Sequence, residues 1–181
     1  GIFTITAPTG SGKTLAMLAF ALNHALTHNF RRIIVVQPYL TLIEQTALVY
    51  RQVFQRFVSQ DLERYFLEHH NLSGARIQRH ELAEDDSARE RLLSENWDAP
   101  VILTTNVQFL ESLFSNRPSV CRKLHRLARS IIFFDEVQTL PLKLLIPTLG
   151  TLSRLVENYG ASVVFATATQ PAFSHLHDQV K

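Results

Sequence analysis

A short run of small residues ending in a lysine and a threonine, APTGSGKT at residues 7–14, could bind phosphate. Gly10, Ser11 and Gly12 allow successive backbone N–H groups to point inward at oxygen atoms. Lys13 is placed to reach the β- and γ-phosphates of ATP, and the Thr14 hydroxyl is placed to ligate Mg²⁺. The predicted cofactors are therefore ATP and Mg²⁺, and the predicted binding residues are Ala7, Pro8, Thr9, Gly10, Ser11, Gly12, Lys13 and Thr14.

One position of this loop departs from the common pattern, which has glycine five residues before Gly12, where this chain has Ala7. The alternative is a glycine-rich turn between a strand and a helix that binds no ligand. The apolar run before the loop and the helical pattern after it favour the phosphate-binding interpretation.

Two adjacent carboxylates, Asp135 and Glu136, follow the apolar run SIIFF. Such a pair is costly to hold together unless a cation lies nearby, and Mg²⁺ on ATP would supply one. Asp135 would then hold Mg²⁺ through its water shell, and Glu136 would orient and polarise the attacking water. Lys13, Asp135 and Glu136 are the predicted catalytic residues, although an acidic pair after a strand can also be a helix cap.

The segment TATQP at 167–171 follows another apolar run. The hydroxyls of Thr167 and Thr169 can hydrogen-bond Glu136 and report the state of the γ-phosphate to neighbouring surfaces. Gln138, two residues after Glu136, is assigned to the same coupling role. A local turn stabilised by the threonine hydroxyls is the alternative.

Two more segments, 35–45 and 102–110, place hydroxyls and amides where predicted strands end. Such groups suit sugar–phosphate contacts that do not read the base, although helix caps explain Thr41 and Thr105 equally well. The predicted nucleic-acid contacts are Gln37, Pro38, Thr104, Thr105 and Asn106.

Short apolar runs alternate with longer helical patterns along the chain, which predicts an α/β fold with a mainly parallel sheet and helices on both faces. Ligands of such sheets bind beyond the carboxyl ends of the strands, where these motifs fall. Strands are predicted at 2–6, 32–37, 75–80, 101–105, 130–135 and 162–167. Helices are predicted at 13–28, 40–58, 61–68, 87–95, 106–115, 120–129 and 142–158.

The composition is that of one ordinary soluble domain: 181 residues, 46% hydrophobic, 19% charged, with a net charge of +2. This length cannot hold two units of roughly 150 residues. Cys121 is the single cysteine, which fits a reducing compartment, so a cytoplasmic location is predicted. The longest uncharged run, 14–30, is interrupted by polar residues and is too short in its apolar part to predict a membrane span.

Basic residues cluster between 115 and 130, where an amphipathic helix with a solvated basic face is predicted, with a DNA or partner contact as the alternative. His24 and His28 are predicted on the solvated face of another helix. His69, His70 and His80 are predicted in a solvated loop.

Taken in order, the four motifs resemble those of the first RecA-like domain of superfamily 2 helicases. NWDAPVILTTNVQFLESLF, RKLHRLARSIIFFDEVQTLPLKLL and TATQPAF are similar to the helicase part of the helicase-nuclease of type I CRISPR systems, as are APTGSGKTLA and RRIIVVQPYLTLIEQT. Alanine at position 7 is typical of helicase-type ATPases. The resemblance covers essentially the whole chain, and residues 59–99 align least well.

This resemblance implies an ATP-driven motor that moves 3′ to 5′ along single-stranded DNA in defence against foreign DNA. An RNA-guided surveillance complex would recruit it, and an HD nuclease domain would cut the strand. By matching motif positions, Lys13 and Thr14 take the ATP and Mg²⁺ roles, Asp135 and Glu136 the hydrolytic ones, and Thr167 and Thr169 the coupling role.

The resemblance also implies that residues 1–181 form one RecA-like ATP-binding domain, the amino-terminal half of a motor. The second RecA-like domain, which supplies the arginine fingers in this family, and the HD domain are expected elsewhere in a longer protein. Because an arginine finger contributes about 10³- to 10⁵-fold in rate, this chain alone is expected to hydrolyse ATP weakly. The alternatives are the same domain of another superfamily 2 DNA or RNA helicase, or a nucleotide-gated docking module without turnover.

Overall fold

The computed structural model describes residues 1–8, 10–58, 62, 65–69 and 96–167. Six strands form one sheet in the described part of the chain, and every pair of neighbouring strands runs parallel. The spatial order is β1-β6-β5-β2-β4-β3. The strands are β1 (Ile2–Thr6), β2 (Arg32–Gln37), β3 (Phe66–His69), β4 (Val101–Thr105), β5 (Ser130–Asp135) and β6 (Ser162–Thr167).

Helices connect these strands, as parallel pairing requires. They are α1 (Lys13–His28), α2 (Leu40–Phe54), α3 (Asn106–Phe114), α4 (Pro118–Cys121) and α5 (Leu142–Tyr159), with 3₁₀ turns at Leu124–Arg126 and Val137–Thr139. Strand β6 separates β1 from β5, so the loop after β1 and the carboxylates after β5 lie at the same sheet edge, two strands apart.

The sheet is covered on both faces, which gives the three layers that the sequence predicts. One core cluster joins Ile33 and Val35 to α1 and α2. The other joins Ile34 and Val36 to α3 and α5. Alternate residues of β2 thus enter opposite cores, because successive side chains of a strand point to opposite faces. This double burial explains why the strand is a continuous apolar run.

The bounds of β1, β2, β4, β5, β6 and α1 confirm the predictions. Helices α3 and α5 end within one residue of their predicted ends, and α2 stops at Phe54 instead of residue 58. The predicted strand at 75–80 and helix at 87–95 lie outside the described residues.

The predicted helix at 61–68 is wrong where the structure describes it, because Phe66–His69 is strand β3. It pairs in parallel with β4, with Phe66 opposite Val101 and His69 opposite Thr104. Phe66 is 3% exposed and packs its ring against Tyr50 of α2. The backbone pairing and this buried ring outweigh the local helical preference of a leucine- and glutamate-containing segment.

The predicted helix at 120–129 is also wrong, since α4 ends at Cys121 and only a 3₁₀ turn follows. Lys123 is 5% exposed, and its ammonium lies 5.4 Å from the centre of the Trp97 ring. Arg126 pairs with Asp98 at 2.9 Å. These two basic side chains therefore pack against Trp97 and Asp98 rather than forming a solvated helix face.

His28 is exposed, as predicted, whereas His24 and His69 differ from their predicted solvated positions. His24 is half-buried, stacked between Phe20 and Phe30 at centroid distances of 5.3 and 5.1 Å, with Nε2 3.1 Å from the Ser162 hydroxyl. Burial, with a smaller effect from His28, lowers the pKa of His24. His69 belongs to β3, whereas His70 and His80 lie outside the described residues.

Within the described part of the chain, we find no helix with the length and apolar character needed to cross a bilayer.

Candidate nucleotide-binding site

The loop between β1 and α1 has the backbone conformation of a phosphate cradle. Gly10 and Gly12 have φ angles of 80° and 82°, a left-handed region that glycine adopts without strain. The Ser11 hydroxyl donates to the Pro8 carbonyl oxygen at 2.7 Å, which tightens the turn between them. Ala7 precedes the turn, and Thr9 lies outside the described residues.

Helix α1 presents its amino-terminal end to this loop. Gly12 is the N-cap residue, and no side chain caps the helix among the described residues. No acidic residue lies in the first turn. The positive end of the helix dipole therefore faces the loop, as an anion-binding site requires.

Lys13 joins the loop to both acidic residues. Its ammonium lies 2.7 Å from Asp135 Oδ1 and 3.0 Å from Glu136 Oε1. Burial alone would lower the pKa of Lys13, but the hydrogen bonds and the charges of both carboxylates outweigh it, so the pKa is raised. The three residues predicted to be catalytic are thus brought together by segments more than 120 positions apart in sequence.

The side chain of Asp135 is held from two sides. Lys13 contacts Oδ1, and the Gln37 amide donates to Oδ2 at 3.3 Å. Gln37 also donates to the Thr46 hydroxyl of α2 at 2.9 Å. Asp135 is 8% exposed, so its orientation is fixed within the protein.

Glu136 has a left-handed backbone, with φ of 53°, which is unusual for a residue with a side chain and is often found at functional sites. Its carbonyl oxygen accepts a hydrogen bond from the Thr139 hydroxyl at 2.8 Å, and that hydroxyl accepts one from the Asn106 amide at 3.1 Å. Burial would raise the pKa of Glu136, but hydrogen bonds from Lys13 and Gln138 and the charge of Lys13 lower it.

The residues assigned to coupling lie around this turn. Gln138 donates to Glu136 Oε2. Thr167 is fully buried at the end of β6, and its carbonyl oxygen accepts from the backbone N–H of Ala7 at 3.2 Å. That bond connects the end of β6 to the start of the phosphate loop. Thr169 lies outside the described residues.

The predicted nucleic-acid contacts occupy the interior, except for half-buried Pro38. Gln37, Thr104, Thr105 and Asn106 are between 0% and 9% exposed. Thr104 donates to the His69 carbonyl oxygen, and Thr105 caps α3 by accepting from the Gln108 N–H. Gln37 donates to Asp135 instead, and Asn106 donates to Thr139. In this conformation, these four side chains are buried and hydrogen-bonded within the protein.

Sequence reasoning missed Thr46 and Thr139, the two hydroxyls that complete these bonds. Thr139 carried a usable signal, since it lies three residues after Glu136, between the predicted strand 130–135 and the predicted helix 142–158. Thr46 carried none, because it reaches Gln37 only through the packing of α2 on the sheet.

An open cleft of about 490 Å³ lies above the loop, a size within the range of small-ligand sites. Its oxygen donors include the Thr14 hydroxyl and the Asp135 carboxylate, and Mg²⁺ prefers such hard ligands. The donor set therefore fits a magnesium nucleotide. The lining residues are Gly10, Gly12, Lys13, Thr14, Leu15, Gln37, Leu42, Gln45, Thr46, Val49, Asp135 and Glu136.

A phosphate loop and an acidic pair that meet at the carboxyl edge of a parallel sheet define a nucleotide-binding protein of RecA-like fold. The chain belongs to the DEAD/DEAH box helicase family, whose model matches residues 2–176.

Among individual proteins, the chain is similar to the CRISPR-associated nuclease/helicase Cas3 of Haloferax volcanii, with 33% identity over 186 residues. The match covers 94% of this chain and 19% of that protein. The chain thus spans about a fifth of the length of this relative.

Solved structures share the fold. T. fusca Cas3 with AMPPNP has a TM-score of 0.73 at 19% identity, over 94% of this chain and 19% of that one. The helicase domain of Pyrococcus furiosus Hef has a TM-score of 0.59 at 18% identity, over 99% of this chain and 32% of that one.

Proposed function

We propose that this chain is the ATP-binding and ATP-hydrolysing domain of a CRISPR-associated helicase. The observation that carries the proposal is Lys13, whose ammonium lies within 3.0 Å of both Asp135 and Glu136 beside a preformed phosphate loop. Family membership supports ATP-dependent helicase chemistry, and the Haloferax volcanii relative supports the CRISPR assignment.

The side chains of the site divide the chemical work. The loop N–H groups and the α1 amino terminus bind phosphate oxygens, and Lys13 neutralises their charge by exchanging carboxylate for phosphate contacts. When bound, Mg²⁺ would supply charge neutralisation between the phosphates, held by Thr14 and Asp135. Glu136, which keeps the hydrogen bond that Gln138 donates to it, orients and polarises the attacking water.

Several finer parts of the proposal depend on the similarity to Cas3. The nucleic acid is single-stranded DNA, and an RNA-guided surveillance complex delivers it. A second RecA-like domain and an HD nuclease domain belong to the same longer protein, with residues 1–181 forming the first motor domain. We place the protein in the cytoplasm, where Cys121 would remain reduced.

Glu136→Gln in the full-length protein should separate binding from turnover. The amide keeps the shape of the side chain but cannot act as a base. We expect nucleotide affinity within about threefold of wild type and a fall in turnover of about 10²- to 10⁴-fold, the usual contribution of a general base. The measurement is single-turnover ATP hydrolysis beside ADP binding, and undiminished hydrolysis would refute the role of Glu136.

Nucleic-acid stimulation distinguishes the two helicase interpretations. Stimulation of ATP hydrolysis by single-stranded DNA, but not by RNA of the same sequence, supports the CRISPR motor. Stimulation by RNA would favour another helicase of the family. Nucleotide binding without hydrolysis in the full-length protein would favour a docking module.

A further inference from the structure

We propose that Gln37 is a positioning residue of the magnesium site. Its amide fixes the orientation of Asp135, and its second hydrogen bond, to Thr46, ties that carboxylate to helix α2. This inference rests on the proposed nucleotide-binding function and adds a residue and a mechanical connection to it.

The hydrogen-bond chemistry sets the orientation of the Gln37 amide. An ionised carboxylate only accepts hydrogen bonds, so the nitrogen of the amide must face Asp135. The structure has this arrangement, with Gln37 Nε2 3.3 Å from Asp135 Oδ2 and 2.9 Å from Thr46 Oγ1. Both N–H groups of the amide are thereby used, one on each partner.

The oxygen of the same amide is a buried acceptor. Gln37 is 2% exposed, and among the described residues its Oε1 has no hydrogen-bond partner. An unsatisfied buried polar atom is unfavourable to folding. Gln37 lines the cleft above the loop, so this unused acceptor belongs to the same site. Gln37 thus adds an oxygen acceptor beside Asp135, in keeping with a magnesium site.

Sheet topology explains why a residue of β2 reaches the acidic pair. Strand β2 lies beside β5, and Val36 is opposite Phe134, so the next residues of the two strands are Gln37 and Asp135. The two side chains meet at the carboxyl edge of the sheet. A glutamine has the length to reach both Asp135 and the facing helix.

Helix α2 packs directly over this pair. Thr46 is 5% exposed, and Tyr50, one turn later, is 1% exposed. Burial and the negative charge of Asp135 raise the pKa of Tyr50, so the phenol stays neutral beneath the carboxylate. A shift of α2 along the sheet would therefore move the Thr46 anchor and change how Gln37 holds Asp135.

The test is ADP binding by this chain, measured by calorimetry in EDTA and over a series of Mg²⁺ concentrations. Wild type should gain affinity as Mg²⁺ rises. Gln37→Met keeps the length of the side chain but removes the amide, and we expect it to raise the Mg²⁺ concentration for half of that gain about tenfold. Its affinity in EDTA should stay within about twofold of wild type.

Variants of Thr46 test the anchor, and they carry the test alone if Gln37→Met does not fold. Thr46→Val should shift the Mg²⁺ midpoint in the same direction by about threefold, and Thr46→Ser, which keeps the hydroxyl, should restore it. Thr148→Val is the matched control. Thr148 is a fully buried threonine of α5 whose hydroxyl lacks a hydrogen-bond partner among the described residues. The Mg²⁺ midpoint of Thr148→Val should therefore equal that of wild type.

The outcomes distinguish a failure of the inference from a failure of the proposed nucleotide-binding function. Wild type that binds no ADP at any Mg²⁺ concentration would overturn both. If wild type gains ADP affinity with Mg²⁺ and Gln37→Met shows the same gain at the same Mg²⁺ midpoint, the inference alone is overturned. If Gln37→Met loses ADP affinity equally in EDTA and in Mg²⁺, the role of Gln37 is purely structural. If it loses affinity for single-stranded DNA while the Mg²⁺ midpoint is unchanged, Gln37 is a nucleic-acid contact. Either result overturns the inference.

Discussion

At the scale of single residues, the site depends on one buried cation shared by two carboxylates. Lys13 has a side chain 10% exposed, and its partners Asp135 and Glu136 are 11% and 21% exposed. Charges this far from solvent are stable only as pairs, because removal of Lys13 leaves both carboxylates without a compensating charge. This explains why the pKa of Lys13 is raised while that of Glu136 is lowered.

These shifts predict how stability depends on pH. Glu136, with a lowered pKa, contributes stability that is present above its ordinary value of 4.5 and is lost as the pH falls through the shifted value. Lys13, with a raised pKa, contributes stability that is present below 10.5 and is lost as the pH rises beyond it. The ion pairs should therefore favour folding most between about pH 5 and pH 10.

Lys13→Met should be destabilising by about 3 kcal/mol at pH 7, because it leaves two buried carboxylates together. The difference from wild type should narrow at pH 4, where Glu136 begins to be protonated in the variant. Urea unfolding at pH 7 and at pH 4 measures the loss of stability and its change with pH. Lys143→Met, at an exposed lysine, is the control. A difference that is the same at pH 4 and pH 7 would contradict the electrostatic account.

Substitutions of two glycines distinguish the requirement for a left-handed backbone from the effect of glycine on helix propensity. Gly12→Ala forces a side chain into a left-handed conformation and should destabilise the protein by about 1–2 kcal/mol. Gly150→Ala lies within α5, where an added Cβ meets no atom within 4 Å, and should stabilise it by about 0.5–1 kcal/mol. Thermal unfolding of the two variants checks this, and shifts of equal sign would contradict it.

At the scale of elements, strand ends and helix starts determine the site. The loop after β1, the end of β2, the start of α3 and the turn after β5 all meet at one edge of the sheet. Asn106 begins α3, and through Thr139 it holds the carbonyl group of Glu136. The position of α3 is thereby coupled to the backbone of Glu136, the residue proposed to polarise the attacking water.

Thr139→Val should lower the rate of hydrolysis more than nucleotide affinity, because it removes the bonds that fix the strained turn of Glu136. We expect about a tenfold fall in kcat, since one hydrogen bond of about 1 kcal/mol is lost and Asn106 loses its acceptor. Steady-state kinetics of the full-length protein give kcat and KM separately. Thr139→Ser is the control, and a change confined to KM would be inconsistent with this role.

The predictability of each element follows from what determines it. Strands such as β2 and β5 were predictable because burial on both faces makes them continuous apolar runs. Strand β3 was not, since its four residues become a strand only through pairing with β4. The phosphate loop and the acidic pair were predictable because their chemistry requires particular residue types. The interior roles of Gln37 and Asn106 depend on strand order, which local sequence does not encode.

At the scale of the whole molecule, two core layers position a site that consists mainly of backbone N–H groups and charged side chains. The α1–α2 layer positions the phosphate loop and Thr46, and the α3–α5 layer positions Asn106 and the turn at Glu136. Asp135, at the end of β5, and Glu136, the next residue, lie between the two layers. Both layers therefore converge on Asp135 and Glu136, which lets movements of either one alter the site.

Nucleotide affinity of wild type and of Lys13→Ala tests the central claim most directly. The protein is titrated with ADP and Mg²⁺ in a calorimeter, after circular dichroism has shown that the variant is folded. Wild type should bind, and Lys13→Ala should bind at least tenfold more weakly, because the phosphates lose a charge-assisted contact of about 1.5–3 kcal/mol. Equal, weak binding by both proteins would contradict the assignment of residues 7–14 as the phosphate loop.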